Sequence, residues 1–140
     1  MLEQEIFPKY NVDRARVLLV GYSGGAEFTT QNLVPQHADL LCGGGAVIFG
    51  GGGRPWGRGT MFAPEFVSAF KMHWYTGQDD TGCSDCSCDG FDAFSASTGG
   101  ADYYEARGFT VTLEQPEGID HCNIPFDMVI EEQLNAGILP

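Results

Sequence analysis

Positively charged residues are scarce in this sequence, and long apolar runs are missing. Its 140 residues include 7 lysines and arginines against 19 aspartates and glutamates, a formal net charge of -12 at pH 7. Because so acidic a chain repels phosphate groups, we expect neither nucleic acid nor a membrane as a partner. No stretch approaches the roughly 20 apolar residues of a membrane-spanning helix. Residues 1–5 lack the basic and apolar parts of a signal peptide, so we expect a cytoplasmic protein, or a secreted one if the sequence is a fragment.

The glycine run at residues 50–53 lacks the features of a nucleotide site. It follows the apolar segment 43–49, where a loop that cradles phosphate would stand. The Lys-Ser/Thr pair of a P-loop is missing, as are the spacing and the downstream acid of a dinucleotide fingerprint. We interpret the run as a flexible loop at a strand end, close to a site, in which Trp56 offers a ring to a substrate.

Cysteines are present in an odd number, five, and three of them are crowded at Cys83, Cys86 and Cys88. This C-x-x-C-x-C pattern supplies three thiolates, the ligands that zinc prefers, but a second ligand pair is limited to the distant Cys122 and scattered histidines. The same cysteines could instead form a disulfide within the loop, form a disulfide to Cys122, or stay as free thiols. We assign no metal and no cofactor.

Apolar segments alternate with helical ones along a chain whose composition, 43% hydrophobic and 12% aromatic, is that of a single globular domain. This alternation predicts an α/β fold of about four mainly parallel strands with flanking helices. The predicted strands are 17–20, 43–49, 71–76 and 109–114. The predicted helices are 26–33, ended by Pro35; 63–70; 90–107, interrupted at Gly99 and Gly100; and 124–134, with Met128, Val129 and Leu134 buried.

The first strand, Val17–Val20, runs directly into a G-x-S-x-G motif that a helix follows. A strand, a sharp turn with serine at its apex and a helix are the context of a nucleophile elbow. Gly21 and Gly25 lack a Cβ, so the strand and the helix can approach closely. The amide of Gly24 is placed to donate to an oxyanion that forms beside Ser23. A competing interpretation is a glycine-rich turn in which Ser23 only caps the helix.

Acidic and basic partners for this serine follow two later strands. Asp79 and Asp80 come after the third strand, and His121 comes after the fourth. Open parallel sheets place their ligands at the carboxyl ends of their strands. A serine hydroxyl becomes a good nucleophile when an imidazole accepts its proton, and a carboxylate fixes the tautomer of that imidazole. Ser23, one of the two aspartates and His121 therefore form a candidate triad.

These motifs resemble the carboxyl-terminal half of an α/β-hydrolase, nearest to the esterases and polyester-depolymerase-like members. The resemblance covers essentially all 140 residues, as one partial domain with the fifth to eighth strands of that fold. Asp80 stands third after Gly77, as in the family's G-x-x-D, which favours it over the adjacent aspartate. His121 follows Gly118 in a Gly-x-x-His turn, and Ser23 occupies the elbow.

The resemblance implies a serine hydrolase that cleaves carboxylic esters, small or polymeric, through an acyl-enzyme. It implies that Ser23 is the nucleophile, His121 the base and Asp80 the acid that orients it. It also implies that Gly24 is the oxyanion donor, and that Tyr22 and Trp56 contact the substrate.

The sequence also departs from the family, because the first half of the fold has no counterpart in it. The loop that supplies a second oxyanion amide is not found, and the elbow strand, predicted to be buried on both faces, is left with an unpaired edge. We expect a homo-oligomer, or a partner chain that supplies the other half. Two further interpretations are a half-hydrolase that serves as a binding or assembly module without catalysis, and a small metal-binding domain built on Cys83, Cys86 and Cys88.

Overall fold

Four parallel strands form one sheet in the part of the chain that the computed structural model describes, residues 1–57, 59–82 and 90–140. The strands are β1 (Val17–Tyr22), β2 (Gly44–Phe49), β3 (Phe70–Tyr75) and β4 (Thr110–Glu114). They lie in the order β1-β2-β3-β4, and each neighbouring pair is parallel. The carboxyl ends of all four strands therefore lie at the same end of the sheet. The predicted α/β fold is confirmed.

Helices connect and flank these strands. They are α1 (Gly24–Phe28), α2 (Val34–His37), α3 (Pro64–Ala69), α4 (Ala93–Glu105) and α5 (Phe126–Asn135). π-helical turns cover Leu2–Ile6 and Thr29–Leu33, and a 3₁₀ turn covers Ala38–Leu40. Among the described helices, none has the length and apolarity that crossing a membrane requires.

Two predicted helix breaks are wrong. Pro35 lies in the first turn of α2 and does not end the helical path, because a proline there removes an N–H that lacks a partner in any case. Gly99 and Gly100 lie inside the continuous helix α4. A Cβ on Gly100 would collide with the carbonyl oxygen of Gly52, so this glycine permits close packing of α4 against the loop after β2.

Apolar clusters cover both faces of the sheet. One contains Trp74 with Tyr104 of α4, and the other contains Tyr75 with Val129 of α5. Of the three residues predicted to be the buried side of α5, only Val129 is buried; Met128 is 50% exposed and Leu134 is 45% exposed. Adjacent helix positions differ in direction by about 100°, so Met128 points away from the face that Val129 buries.

The strand β1 is an edge strand and is less buried than predicted. It pairs with β2, and within the described residues its other edge carries no strand. Val20 is 50% exposed, whereas Val47, its partner on β2, is fully buried. The prediction that β1 is buried on both faces is wrong in part: Val17 and Leu19 pack against one apolar cluster and Leu18 packs against the other, but Val20 and Tyr22 are exposed. The predicted unpaired edge is present.

A histidine is buried in the middle of β3. His73 is 1% exposed, and its Nδ1 lies 2.8 Å from the hydroxyl of Thr112 on β4. Its Nε2 is buried without a hydrogen-bond partner. Burial lowers the pKa of His73 from 6.5 to about 4, since the charged imidazolium would lose its hydration inside the protein.

This burial predicts an acid-sensitive fold. Because the pKa of His73 is lower in the folded state, the unfolded chain binds more protons between pH 6.5 and 4, and stability is lost as pH falls through that window. Between pH 7 and pH 5 the loss attributable to His73 is about 2 kcal/mol. In urea denaturation at both pH values, His73→Gln should remove this part of the pH dependence of the free energy of unfolding. His37→Gln, at an exposed position, should retain it. Equal pH dependence in the two variants would contradict the assignment.

Candidate active site

A strained turn between β1 and α1 carries Ser23. Its φ of 52° makes it the one non-glycine residue with positive φ among the described residues, a conformation that costs on the order of 1–3 kcal/mol. The amide of Ser23 donates to the carbonyl of Phe49 at 3.0 Å, and its carbonyl accepts from the amide of Glu27 at 3.0 Å. Its side chain makes no capping hydrogen bond to α1, so the interpretation as a helix cap lacks its defining contact.

The glycines of this turn differ in what they permit. A Cβ on Gly21 would lie 2.8 Å from the carbonyl oxygen of Gly25 and 2.9 Å from the Cα of Ala26. Gly21 therefore allows the close approach of strand and helix, as predicted. A Cβ on Gly25 would meet nothing within 4 Å, so the same explanation is wrong for that residue. Gly24, directly after Ser23, is the first residue of α1.

The structure brings Ser23, His121 and Asp80 into one hydrogen-bonded chain. His121 Nε2 lies 3.0 Å from Ser23 Oγ, and His121 Nδ1 lies 2.8 Å from Asp80 Oδ2. An ionised Asp80 accepts from Nδ1–H, which leaves Nε2 as the acceptor for the serine hydroxyl proton. The geometry thus suits removal of a proton from Ser23 by His121.

The two loops that carry Asp80 and His121 are packed together. A Cβ on Gly77 would collide with the carbonyl oxygen of Ile119, which explains the glycine of the G-x-x-D pattern. The amide of Asp79 donates to the same carbonyl at 3.1 Å. The side chain of Asp120 accepts from the amide of Asn123, which steadies the turn around His121.

Only one of the two adjacent aspartates faces the histidine. Asp80 is 3% exposed and contacts His121, whereas Asp79 is exposed. Adjacent side chains in the turn diverge, so the pair does not act as one group. The geometry favours Asp80 as the partner of His121.

The two predicted substrate contacts lie in different places. Tyr22 is beside the site: its hydroxyl donates to the carbonyl of His121 at 2.7 Å. Trp56 is 84% exposed, and its indole N–H donates to the side chain of Gln31. Trp56 borders an open groove of about 1400 Å³, which Tyr103 and Glu27 also line.

Glu27 connects this groove to the site, a role that the sequence did not predict. Its Oε1 accepts from the amides of Gly52 at 2.7 Å and Gly53 at 3.0 Å. The same loop begins at Gly50, where a Cβ would lie 3.1 Å from the ring of His121. Glu27 therefore holds the glycine loop against the histidine. The sequence contains one indication of this role, an acidic residue one helical turn after Ser23.

The glycine run has a structural explanation that needs no ligand. Gly50, Gly51 and Gly52 all have positive φ, a region that side chains rarely adopt. The indole of Trp74 donates to the carbonyl of Gly52 at 2.9 Å. The loop is thus held in place by side chains of the chain itself.

The cysteine cluster Cys83, Cys86 and Cys88 lies outside the described residues, so a zinc site, a disulfide and free thiols all stay predictions for it. Cys42 is a free, exposed thiol, and Cys122 is disulfide-bonded. Among the residues that the structure describes, no group of three or more histidine, cysteine, aspartate or glutamate side chains is arranged to hold a metal ion.

Comparison with solved structures identifies the fold. Neither a family model nor a curated protein matches the sequence. The carboxylesterase of Bacillus cereus matches with a TM-score of 0.69 and 20% identity, over 96% of this chain and 56% of that one. The fold is α/β-hydrolase-like. Arabidopsis thaliana SOBER1 matches with a TM-score of 0.63 and 18% identity, over 99% of this chain and 60% of that one. A thermostable esterase matches with a TM-score of 0.55 and 16% identity, over 83% of this chain and 26% of that one.

These matches confirm the resemblance in fold that the sequence motifs predicted. At 20% identity or less they concern the fold alone. The chain spans a little over half the length of the first two structures, 56% and 60%.

Proposed function

We propose that this chain is a serine hydrolase that cleaves carboxylic esters through an acyl-enzyme on Ser23. The observation that carries the proposal is the hydrogen-bonded chain from Ser23 Oγ through His121 to Asp80, with distances of 3.0 and 2.8 Å. The strained elbow backbone supports it, because strain of this kind persists where the surrounding structure enforces it, often at active sites. The α/β-hydrolase-like fold and its esterase neighbours add to this support.

The mechanism follows from the donors and acceptors of these side chains. His121 Nε2 removes the hydroxyl proton as Ser23 Oγ attacks the ester carbonyl, and Asp80 stabilises the resulting imidazolium. Collapse of the tetrahedral intermediate expels the alcohol, which takes the proton from His121. Water, activated by the same imidazole, then hydrolyses the acyl-serine and releases the acid.

The amide of Gly24 is the proposed oxyanion donor, because it directly follows Ser23 at the start of α1. Loss of a single oxyanion donor typically reduces the rate by about 10²–10³, so we expect this amide to contribute to the rate by that order. The exposed rings of Tyr22 and Trp56 are proposed substrate contacts. The groove beside Trp56 is lined by none of Ser23, Asp80 and His121, so we propose it for a remote part of an extended or polymeric ester and not for the reacting group.

The uncovered edge of β1 supports the proposal of a partner. Val20 is 50% exposed, Phe28 is 57% exposed, and the backbone groups along this edge face no strand of the described chain. An apolar strand edge of this kind is a template for pairing. We infer that a second copy, or another polypeptide with the fold's remaining strands, pairs with β1 beside Ser23.

A non-catalytic binding or assembly module is the second candidate. It is favoured by the exposed edge of β1, which can pair with another chain whether or not Ser23 reacts. The two candidates differ in whether Ser23 reacts covalently.

A fluorophosphonate probe should label the chain at Ser23, because His121 activates that hydroxyl. Ser23→Ala should abolish labelling, measured by intact mass, while the circular dichroism spectrum stays unchanged. Ser95→Ala, at an exposed serine of α4, is the control and should label normally. If the native chain does not label, the non-catalytic candidate replaces the esterase proposal; labelling of Ser23→Ala would show that the nucleophile is wrong.

Asp80→Asn should reduce kcat for a simple aryl ester by about 10⁴, because the amide no longer fixes the productive tautomer of His121. Asp79→Asn is the matched control and should change kcat by less than about fivefold, as expected for an exposed side chain that does not contact the histidine. An equal or larger loss in Asp79→Asn would reverse the assignment of the acid.

Specific esterase activity should depend on protein concentration if pairing at the β1 edge completes the site. Sedimentation equilibrium and an activity dilution series should then give the same midpoint. Val20→Lys, which places a charge on the exposed part of β1 without touching the triad, should shift both midpoints to higher concentration. A monomer with constant specific activity over the whole dilution series would refute the need for a partner.

A further inference from the structure

A hydrogen bond links the two edges of the sheet at the candidate site. Tyr22 is the last residue of β1, at one edge, and His121 lies in the loop after β4, at the other edge. The hydroxyl of Tyr22 donates to the backbone carbonyl of His121 at 2.7 Å. The bond therefore holds the main chain of the residue whose ring faces Ser23.

The ring of Tyr22 also packs on the imidazole. Their centroids are 4.9 Å apart and their planes are inclined by 32°. Phe126 packs edge-on against Tyr22 at 5.1 Å and against Phe49 at 5.0 Å. The tyrosine ring is thus fixed by α5 and β2, and its face is presented to His121.

Three polar groups lie around this imidazole. Asp80 lies 2.8 Å from Nδ1, Ser23 Oγ lies 3.0 Å from Nε2, and Asp120 precedes His121 in the same turn. A cation over the face of an aromatic ring is stabilised by the negative charge of that face. Burial, with Asp80 and Asp120, raises the pKa of Tyr22, so its hydroxyl stays protonated and continues to donate.

We propose that Tyr22 is a positioning residue for His121: its hydroxyl fixes the backbone of the histidine, and its ring stabilises the imidazolium form. The proposal rests on the proposed function, in which His121 becomes an imidazolium during ester cleavage. It gives Tyr22 a role that a substrate-contacting ring alone would not have. The hydroxyl is engaged within the protein, and only the remaining exposed part of the ring, 39% of the residue, faces outward.

Proton NMR and steady-state kinetics test the ring. His37→Gln and His73→Gln assign the three histidine Hε1 signals. Because the Tyr22 and His121 ring centroids are 4.9 Å apart, Tyr22→Leu should move the His121 resonance by removing the ring current, and Tyr22→Phe should not. Tyr22→Leu should also lower kcat below that of Tyr22→Phe, because the imidazolium loses the aromatic face. Equal kcat in the two variants would overturn the role of the ring.

Amide hydrogen exchange and steady-state kinetics test the hydroxyl. Tyr22→Phe should speed exchange at Cys122 and Asn123, the two amides that donate to Asp120 beside His121, and should lower kcat about tenfold with KM unchanged. Tyr10→Phe, at an exposed tyrosine before β1, is the control and should match the native chain. Unchanged exchange in Tyr22→Phe would overturn the role of the hydroxyl. A chain that shows both NMR effects but no ester cleavage would refute the proposed function and retain the positioning role.

Discussion

The backbone of Ser23 is held in a conformation that a residue with a side chain adopts only when its neighbours enforce it. Its positive φ of 52° costs on the order of 1–3 kcal/mol. Three features offset this cost: the hydrogen bond from its amide to Phe49, the parallel pairing of β1 with β2, and the start of α1 at its carbonyl. The projection of the hydroxyl toward His121 follows from that conformation, so the rest of the site depends on this turn.

Glycines at contact points allow the loops around that turn to approach one another. Gly21 admits α1 against β1, Gly77 admits the loop of His121 against the loop of Asp80, and Gly100 admits α4 against the glycine run. A Cβ at any of these positions would meet a backbone atom. Three of the 20 glycines thus have a specific structural cause, the close approach of another backbone segment.

The sequence predicted the strands and the candidate triad because both depend on local pattern. Branched apolar runs form buried strands, and a serine between glycines after such a run marks a sharp turn. The errors concern properties that depend on tertiary contacts. Gly100 reads locally as a helix breaker, but the carbonyl of Gly52 packs where its side chain would be. The burial of Met128 depends on how α5 is oriented over the sheet, and the exposure of β1 depends on what lies beyond its edge.

The hydrogen bonds of Glu27 and Tyr22 could not be predicted from pattern, since each side chain reaches residues far away in the sequence. Tyr22 directly precedes the serine and reaches the loop of His121; Glu27 follows it by one helical turn and holds the glycine loop that touches the same imidazole. The segment from Tyr22 to Glu27 thus carries the serine and also forms hydrogen bonds to both loops that surround His121. Because this segment begins at the end of the edge strand β1, a polypeptide that pairs with that edge would stabilise the serine and both loops at once. The proposed assembly at the edge would therefore be coupled to order in the candidate site through the same few residues.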